Sequence, residues 1–143
     1  MTDLERAKAL LKEHGCVAAA CKTGECDRIA YGRGVAPLLD WLDQGVNLTG
    51  YSAADKVVGK AAAFLYLRLG VAALYAETMS ASADALLNTH GVTVSANQVV
   101  PAIRNRAGTG YCPMETVTTP ISDPLEAEAA IHAKLAELLE SKN

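Results

Sequence analysis

The sequence predicts an α/β protein, a three-layer α/β/α sandwich built around a mixed sheet. Two observations lead to this prediction. A hairpin pattern of small and β-branched residues follows a capped first helix, and strand patterns then alternate with helical patterns along the rest of the chain. Because alternating strands and helices tend to pack as layers around one sheet, we expect a single domain over residues 1–143.

The first 45 residues predict a helix, a hairpin and a second, short helix. Thr2 and Glu5 form a capping-box pattern, and apolar residues at helical spacing lead to a stop at Gly15. Two short strand patterns then flank a turn at residues 22–25. The second helix has leucines on its inner face and ends at Gly45.

The stretch GYSAADKVVGKAAAFLYLRLG, residues 50–70, predicts one long apolar helix that begins at Ser52. In this helix Asp55 completes a Ser-x-x-Asp capping box, and Lys56 and Lys60 share one face. Free N–H groups and the macrodipole favour anions at a helix N-terminus, and two lysines would strengthen that preference. We therefore expect a phosphate or carboxylate to bind there. The alternative is that Asp55 only caps the helix and that the lysines extend to water.

The second half of the chain predicts strands that alternate with helices. The apolar run at residues 71–78 is typical of a central strand. A helix capped by Ser80 and a strand at residues 92–100 follow. The last helix is capped by Asp123 and has Pro124 at its first position.

A glycine-rich loop, RNRAGTGYCPMET at residues 104–116, is the second candidate for chemistry. Glycines allow successive backbone N–H groups to converge on an anion, and arginine binds phosphate or carboxylate in a fork. Cys112, followed by a proline and with Glu115 nearby, is a candidate nucleophile. The simpler alternatives are an ordinary turn and a small buried cysteine. The candidate anion ligands in the loop are Arg106, Gly108, Thr109 and Gly110.

Charge and composition exclude several classes of protein. A net charge of -3 and the lack of a basic run argue against nucleic-acid binding. Lys60 and Arg68 interrupt the longest apolar stretch, which argues against a membrane span, and the N-terminal segment lacks the apolar core of a signal peptide, so we expect a cytoplasmic protein. No histidine or cysteine pair has the spacing of a metal site, and we expect no metal and no cofactor.

Three stretches resemble a family of small prokaryotic proteins that is known only as a domain of unknown function. They are GYSAADKVVGKAAAFLYLRLGV, RNRAGTGYCPMET and RGVAPLLDWL. The resemblance covers essentially the whole chain, and the two longer motifs are specific to the family. It implies the cytidine-deaminase-like fold superfamily, which is an α/β/α sandwich.

The resemblance implies the place of a pocket but not zinc chemistry. In the zinc deaminases of that superfamily, H-x-E opens one central helix and P-C-x-x-C opens the next. The matching helix starts in this chain carry residues 53–56 and SASAD from Ser80, with neither histidine nor cysteine. The implied pocket lies at these two helix N-termini and is lined by Asp55, Lys56, Lys60 and Ser80.

These observations together predict a zinc-free pocket for an anionic small molecule, with a nucleotide as one candidate. Lys56 and Lys60 would hold the anion, helped by Arg106 and the backbone of Gly108, Thr109 and Gly110, and Glu115 would contribute to the same ligand site from the loop. Whether a reaction follows is left open, with Cys112 as the candidate nucleophile and Lys60 as the candidate acid–base group. The alternative is a non-catalytic binding or regulatory module in which the same pocket senses a metabolite. Homo-oligomers are compatible with both readings.

Overall fold

The computed structural model describes residues 1–32, 34–104, 110 and 112–140. The order of helices and strands in these residues follows the predicted order except at β3 and α5, which the sequence did not predict. The elements in chain order are α1 (Asp3–Glu13), β1 (Ala18–Cys21), β2 (Arg28–Ala30), α2 (Ala36–Asp43), β3 (Ser52–Val58), α3 (Lys60–Leu69), β4 (Ala73–Ser80), α4 (Ala81–Thr89), β5 (Thr93–Val100), α5 (Pro113–Thr118) and α6 (Pro124–Glu140).

The strands form one five-stranded mixed sheet in the order β2-β1-β3-β4-β5. The hairpin strand β1 is antiparallel to both of its neighbours, and its central residue Ala19 pairs with Ile29 of β2 and Ala54 of β3. The other three strands, β3, β4 and β5, run parallel to one another. The α/β class and the mixed sheet predicted from the sequence are therefore confirmed.

Helices pack on both faces of this sheet. Successive strand residues point to opposite faces, so Ala19 and Ala54 pack with Leu11 of α1, whereas Ala18 and Ala53 pack on the other side. The strand alanines are small. On the face of Ala18 and Ala53, the volume of the core therefore comes largely from side chains of the buried α3, such as Phe64, Leu65 and Leu69. Helix α1 thus covers one face, and the larger core, to which α3 contributes most, lies on the opposite face.

Residues 50–70 are not one helix, and the prediction that a helix begins at Ser52 is wrong. Ser52–Val58 is the strand β3, which pairs with β1 on one side and β4 on the other. Gly59 is extended, with φ -96 and ψ -176, and α3 begins only at Lys60. A central strand is apolar on both faces and has no period that separates it from a buried helix. Sheet pairing outweighed the strong helical preference of its alanines, because tertiary contacts override intrinsic propensity.

The predicted helix caps agree with the structure at three other places. The Thr2 hydroxyl accepts from the Glu5 N–H at 3.1 Å, and the Ser80 hydroxyl accepts from the Ala83 N–H at 3.2 Å. The carboxylate of Asp123 accepts from the Glu126 N–H at 3.2 Å at the start of α6. These caps are local contacts between residues three apart, which is why the sequence alone shows them.

The glycine-rich loop contains a helix that the sequence analysis did not predict. The short helix α5, Pro113–Thr118, begins inside the predicted loop immediately after Cys112 and continues two residues beyond the end of that loop. Proline is favoured at the first helical position because it needs no N–H partner there.

None of the helices in the described residues combines the length and apolarity that a bilayer crossing requires.

Candidate functional site

A cavity of about 310 Å³ lies beside the second half of β3 and the N-terminus of α3. Its lining also includes residues before α2 and residues of α5 and the segment before it. Many of the lining side chains are apolar, among them Val17, Val35, Ile103 and Met114. The ionisable side chains in the described lining are those of Asp55, Lys56, Cys112 and Glu115.

Asp55 is a buried carboxyl group in the wall of this cavity. Its side chain is on β3, on the face that α3 covers, and the residue is only 7% exposed. Oδ2 accepts a hydrogen bond of 2.6 Å from the Tyr66 hydroxyl, and Oδ1 accepts one of 3.1 Å from the Val57 N–H. The two bonds hold the carboxyl group in one orientation.

Burial raises the pKa of Asp55 to about 7, because the charged form loses its hydration. The hydrogen bonds from Tyr66 and from the backbone lower the pKa but do not offset burial, and the nearby charge of Glu77 raises it further. Both protonation states of Asp55 are therefore populated near neutral pH. A carboxyl group with this property in a cavity is typical of a functional site.

Tyr66, whose hydroxyl group holds the Asp55 carboxyl group, is a residue that the sequence analysis missed. It lies in the middle of α3 and is fully buried, and burial together with Asp55 raises its pKa well above 10. It is therefore a neutral hydrogen-bond donor at physiological pH. The sequence contains one indication of this role, the tyrosine in the apolar run AAAFLYL. A tyrosine buried with its apolar neighbours needs a hydrogen-bond partner for its hydroxyl group.

Glu115 places its carboxyl group against the N-terminus of α3. Burial raises the pKa of this group, while the N–H groups of Lys60 and Ala61 and the Lys60 charge act in the opposite direction. Gly59 makes the approach possible, because a Cβ there would overlap Oε1 of Glu115 and lie 2.6 Å from its Cδ. The anion at this helix start is thus a side chain of the protein itself.

The two lysines of the predicted anion site lie on different elements. Lys56 is an exposed residue of β3 that lines the cavity. Lys60 is the first residue of α3, and its Nζ donates a hydrogen bond of 3.0 Å to the carbonyl oxygen of Thr119, just after α5. The expected pair on one helical face does not exist, and only Lys56 is part of the described cavity lining.

The other predicted site residues are distributed between the cavity and the core. Cys112 is a half-buried free thiol that lines the cavity. Ser80 is fully buried and caps α4 away from the described lining, and Gly110 is half-buried and also outside that lining. Arg106, Gly108 and Thr109 lie outside the residues that the structure describes. The structure therefore brings together Asp55, Lys56, Cys112 and Glu115.

The three histidines of the chain do not line the cavity. His14 and His90 follow the ends of α1 and α4, and His132 on α6 lies 3.0 Å from Oδ1 of Asp43. Across the described ranges, no three His, Cys, Asp or Glu side chains lie close enough together to hold a metal ion. The described chemistry of the cavity is therefore that of carboxyl, thiol and ammonium groups.

Comparison with known proteins gives a family and a similar solved structure. No curated protein matches the sequence. The crystal structure of a DUF1893 family protein, TM1506 from Thermotoga maritima, superposes with a TM-score of 0.83 and is 26% identical, over 94% of this chain and 91% of the other. The family model "TM1506: Domain of unknown function (DUF1893)" matches residues 6–135. This chain therefore belongs to the DUF1893 family.

Proposed function

We propose that the protein binds an anionic small molecule, with a nucleotide as the first candidate, in the cavity beside β3 and α3. The observation that supports this most is the cavity itself, which joins apolar walls to the buried carboxyl group of Asp55 and the exposed ammonium group of Lys56. Small-molecule sites usually combine an apolar cavity with a few polar groups that orient the ligand. Its volume of about 310 Å³ suits a molecule with one ring system.

The ligand's negative charge is assigned to the side of Lys56. The N–H groups at the start of α3 face the Glu115 carboxyl group, so they do not need an external anion. Lys60 is bonded to the Thr119 carbonyl oxygen. Lys56 is the cation that lines the cavity among the described residues, and its exposed side chain allows the charged part of a ligand to stay near water.

We also propose that the fold belongs to the cytidine-deaminase-like superfamily and that it works without zinc. The mixed sheet with helices on both faces supports this assignment, as does a cavity at the N-terminus of the helix that follows β3. The two helices that follow β3 and β4 begin with Gly59-Lys60 and Ser80-Ala81, which offer no zinc ligands. Four free cysteines fit a reducing compartment, and we assign the protein to the cytoplasm.

Calorimetric titration with a panel of nucleoside monophosphates tests this function. We expect at least one of AMP, GMP, CMP and UMP to bind, and Lys56→Met to weaken that binding by roughly fivefold or more through loss of a charge-assisted contact. Lys12→Met, on the last turn of α1 and away from the cavity, is the matched control and should bind normally. The proposal fails if no nucleotide binds, or if the Lys56 variant binds as tightly as the native protein.

A non-catalytic binding module is the second candidate, and two observations favour it over an enzyme. No histidine lines the cavity to activate Cys112 as a nucleophile, and the ammonium group of Lys60 is bonded to a backbone carbonyl oxygen. We therefore expect a bound nucleotide to remain unchanged during long incubation, followed by NMR. Conversion that Cys112→Ser or Lys60→Met abolishes would instead establish an enzyme.

A further inference from the structure

We infer that the Asp55 side of the cavity recognises a ligand that presents two adjacent N–H donors, as a guanine base or a guanidine group does. The inference rests on the proposed small-molecule site and specifies the chemistry of its ligand. It follows from how Asp55 is held, from what surrounds it, and from the acceptor-only character of a carboxylate.

The protein's own donors fix the orientation of the Asp55 carboxylate without using all of its acceptor sites. Tyr66 donates to Oδ2 and the Val57 N–H donates to Oδ1, so each oxygen already has one partner. The neighbouring Lys56 N–H donates to the carbonyl oxygen of Val17 at 3.2 Å and lies close enough to the Asp55 carboxyl group to lower its pKa. A carboxylate has about four lone-pair sites, so acceptor capacity remains. Two parallel N–H groups match a carboxylate in a two-bond fork.

The surroundings of Asp55 favour such a pair of donors over a second anion. Titratable groups on several elements lie near Asp55. They are Cys16 before β1, Lys56 on β3, Tyr66 on α3 and Glu77 on β4. Glu115 of α5 lines the same cavity. Two of these are carboxyl groups, and the cation among them is exposed to water. Apolar walls strengthen any hydrogen bond formed inside the cavity and make an unpaired carboxylate costly.

Proton competition follows from this arrangement. The pKa of Asp55 lies at about 7, so a proton and a two-donor ligand compete for the same oxygens near neutrality. A protonated carboxyl group has a donor where the ligand needs an acceptor. Preference for the second N–H donor should therefore grow as the pH rises through the pKa of Asp55.

The experiment compares GMP with IMP, which differ by the amino group that supplies the second donor. We expect GMP to bind the native protein at least roughly tenfold more tightly, the usual scale for leaving one buried partner unpaired. Methylguanidinium, which has the same pair of donors and no phosphate, separates a guanidine ligand from a guanine nucleotide. Its binding should also depend on Asp55.

Two carboxyl-to-amide variants show which carboxyl group accepts the hydrogen bonds from the two N–H groups of the ligand. Asp55→Asn replaces one acceptor oxygen by a donor and should reduce the preference for GMP to less than about twofold. Glu115→Gln, at the other cavity carboxyl group, should retain the preference. A preference that survives Asp55→Asn, or that disappears only with Glu115→Gln, would overturn the inference.

The remaining outcomes separate this inference from the proposed function. Equal binding of GMP and IMP to the native protein leaves the nucleotide site standing and overturns the Asp55 assignment. Binding of methylguanidinium alone, lost in Asp55→Asn, supports the assignment and overturns an anionic ligand, while no binding of any probe overturns both. If Asp55→Asn does not fold, the test is the ratio of GMP to IMP affinity in the native protein at different pH values. This ratio should rise between about pH 5.5 and about pH 8, and a constant ratio contradicts the inference.

Discussion

At the scale of single residues, Asp55 and Gly59 determine the character of the cavity. Asp55 contributes a carboxyl group that is buried and held by Tyr66 and the Val57 N–H. Gly59 contributes space, because the position of its missing side chain is filled by Glu115. Both residues were visible in the sequence, but only the fold shows which groups they meet.

The first prediction concerns Asp55 and the dependence of stability on pH. Its pKa is about 7 in the folded protein, against an ordinary value of 3.8 for an aspartate. Between these values the folded state binds more protons than the unfolded state, so the free energy of unfolding should fall as the pH rises from about 4 to about 7 and level off above. The contribution is at most about 4 kcal/mol, from roughly three pKa units. Urea denaturation across this range measures it.

Two variants serve as controls for the pH dependence. Asp55→Asn should remove most of this slope, whereas Asp40→Asn, on an exposed position of α2, should retain it. Glu115, whose pKa burial also raises, contributes a slope of the same sign. A slope in Asp55→Asn equal to that of the native protein would contradict the burial assigned to Asp55.

The second prediction concerns the contact between Gly59 and Glu115. Gly59→Ala should lower the free energy of unfolding by about 1–3 kcal/mol, because the new Cβ displaces the Glu115 carboxyl group from the N–H groups of Lys60 and Ala61 and leaves them unpaired. The backbone at Gly59 has φ -96, which alanine adopts without strain. In a Glu115→Ala background the same change should therefore be neutral or stabilising. Additive effects in this double-mutant cycle would show that the two side chains do not compete for space.

At the scale of elements, the two faces of the sheet are covered unequally. One face packs on α1, with Ala7 and Leu11 buried against β1 and β3. The other face lies against a larger core to which α2, α3 and α4 contribute, and the cavity adjoins that side. The stability of the first face therefore depends on a single short helix.

The third prediction tests the role of α1. Leu11→Ala should cost about 2–5 kcal/mol, because Leu11 is 2% exposed and its removal leaves a space that α1 and the sheet cannot close. Leu139→Ala, at a position that is 56% exposed on α6, should change the free energy of unfolding by less than about 0.5 kcal/mol. Chemical denaturation of both variants measures the difference. A similar cost at the two positions would contradict the packing of α1.

At the scale of the whole molecule, the sheet order places the cavity. Strands β3 and β4 are parallel neighbours, so the helices that follow them, α3 and α4, begin at the same edge of the sheet. Ligands of open α/β sheets commonly bind at such an edge. Val17, the residue before the antiparallel β1, forms part of the wall of the cavity.

The fourth prediction concerns metal. If the fold works without zinc, as we propose, dialysis against a chelator should leave the midpoint of thermal unfolding unchanged, since no bound ion contributes to stability. Elemental analysis of the purified protein provides the second measurement. About one zinc per chain that persists through dialysis, or a fall of several degrees in the midpoint, would contradict the proposal.

The sequence by itself determined the α/β class, the hairpin, the short second helix and the caps at Thr2, Ser80 and Asp123. These features depend on contacts between residues close in the chain, or on apolar periodicity. It also singled out Asp55, Lys56, Cys112 and Glu115, which all line the described cavity.

Only the tertiary structure decided that residues 52–58 form a strand and that Glu115 lies at the start of α3. An apolar, alanine-rich segment fits a buried helix and a central strand equally well, and the choice depends on whether other strands pair with it. The partner of a helix N-terminus likewise depends on residues distant in the chain. Pairing and burial between distant segments are properties of the folded chain, and no local pattern contains them.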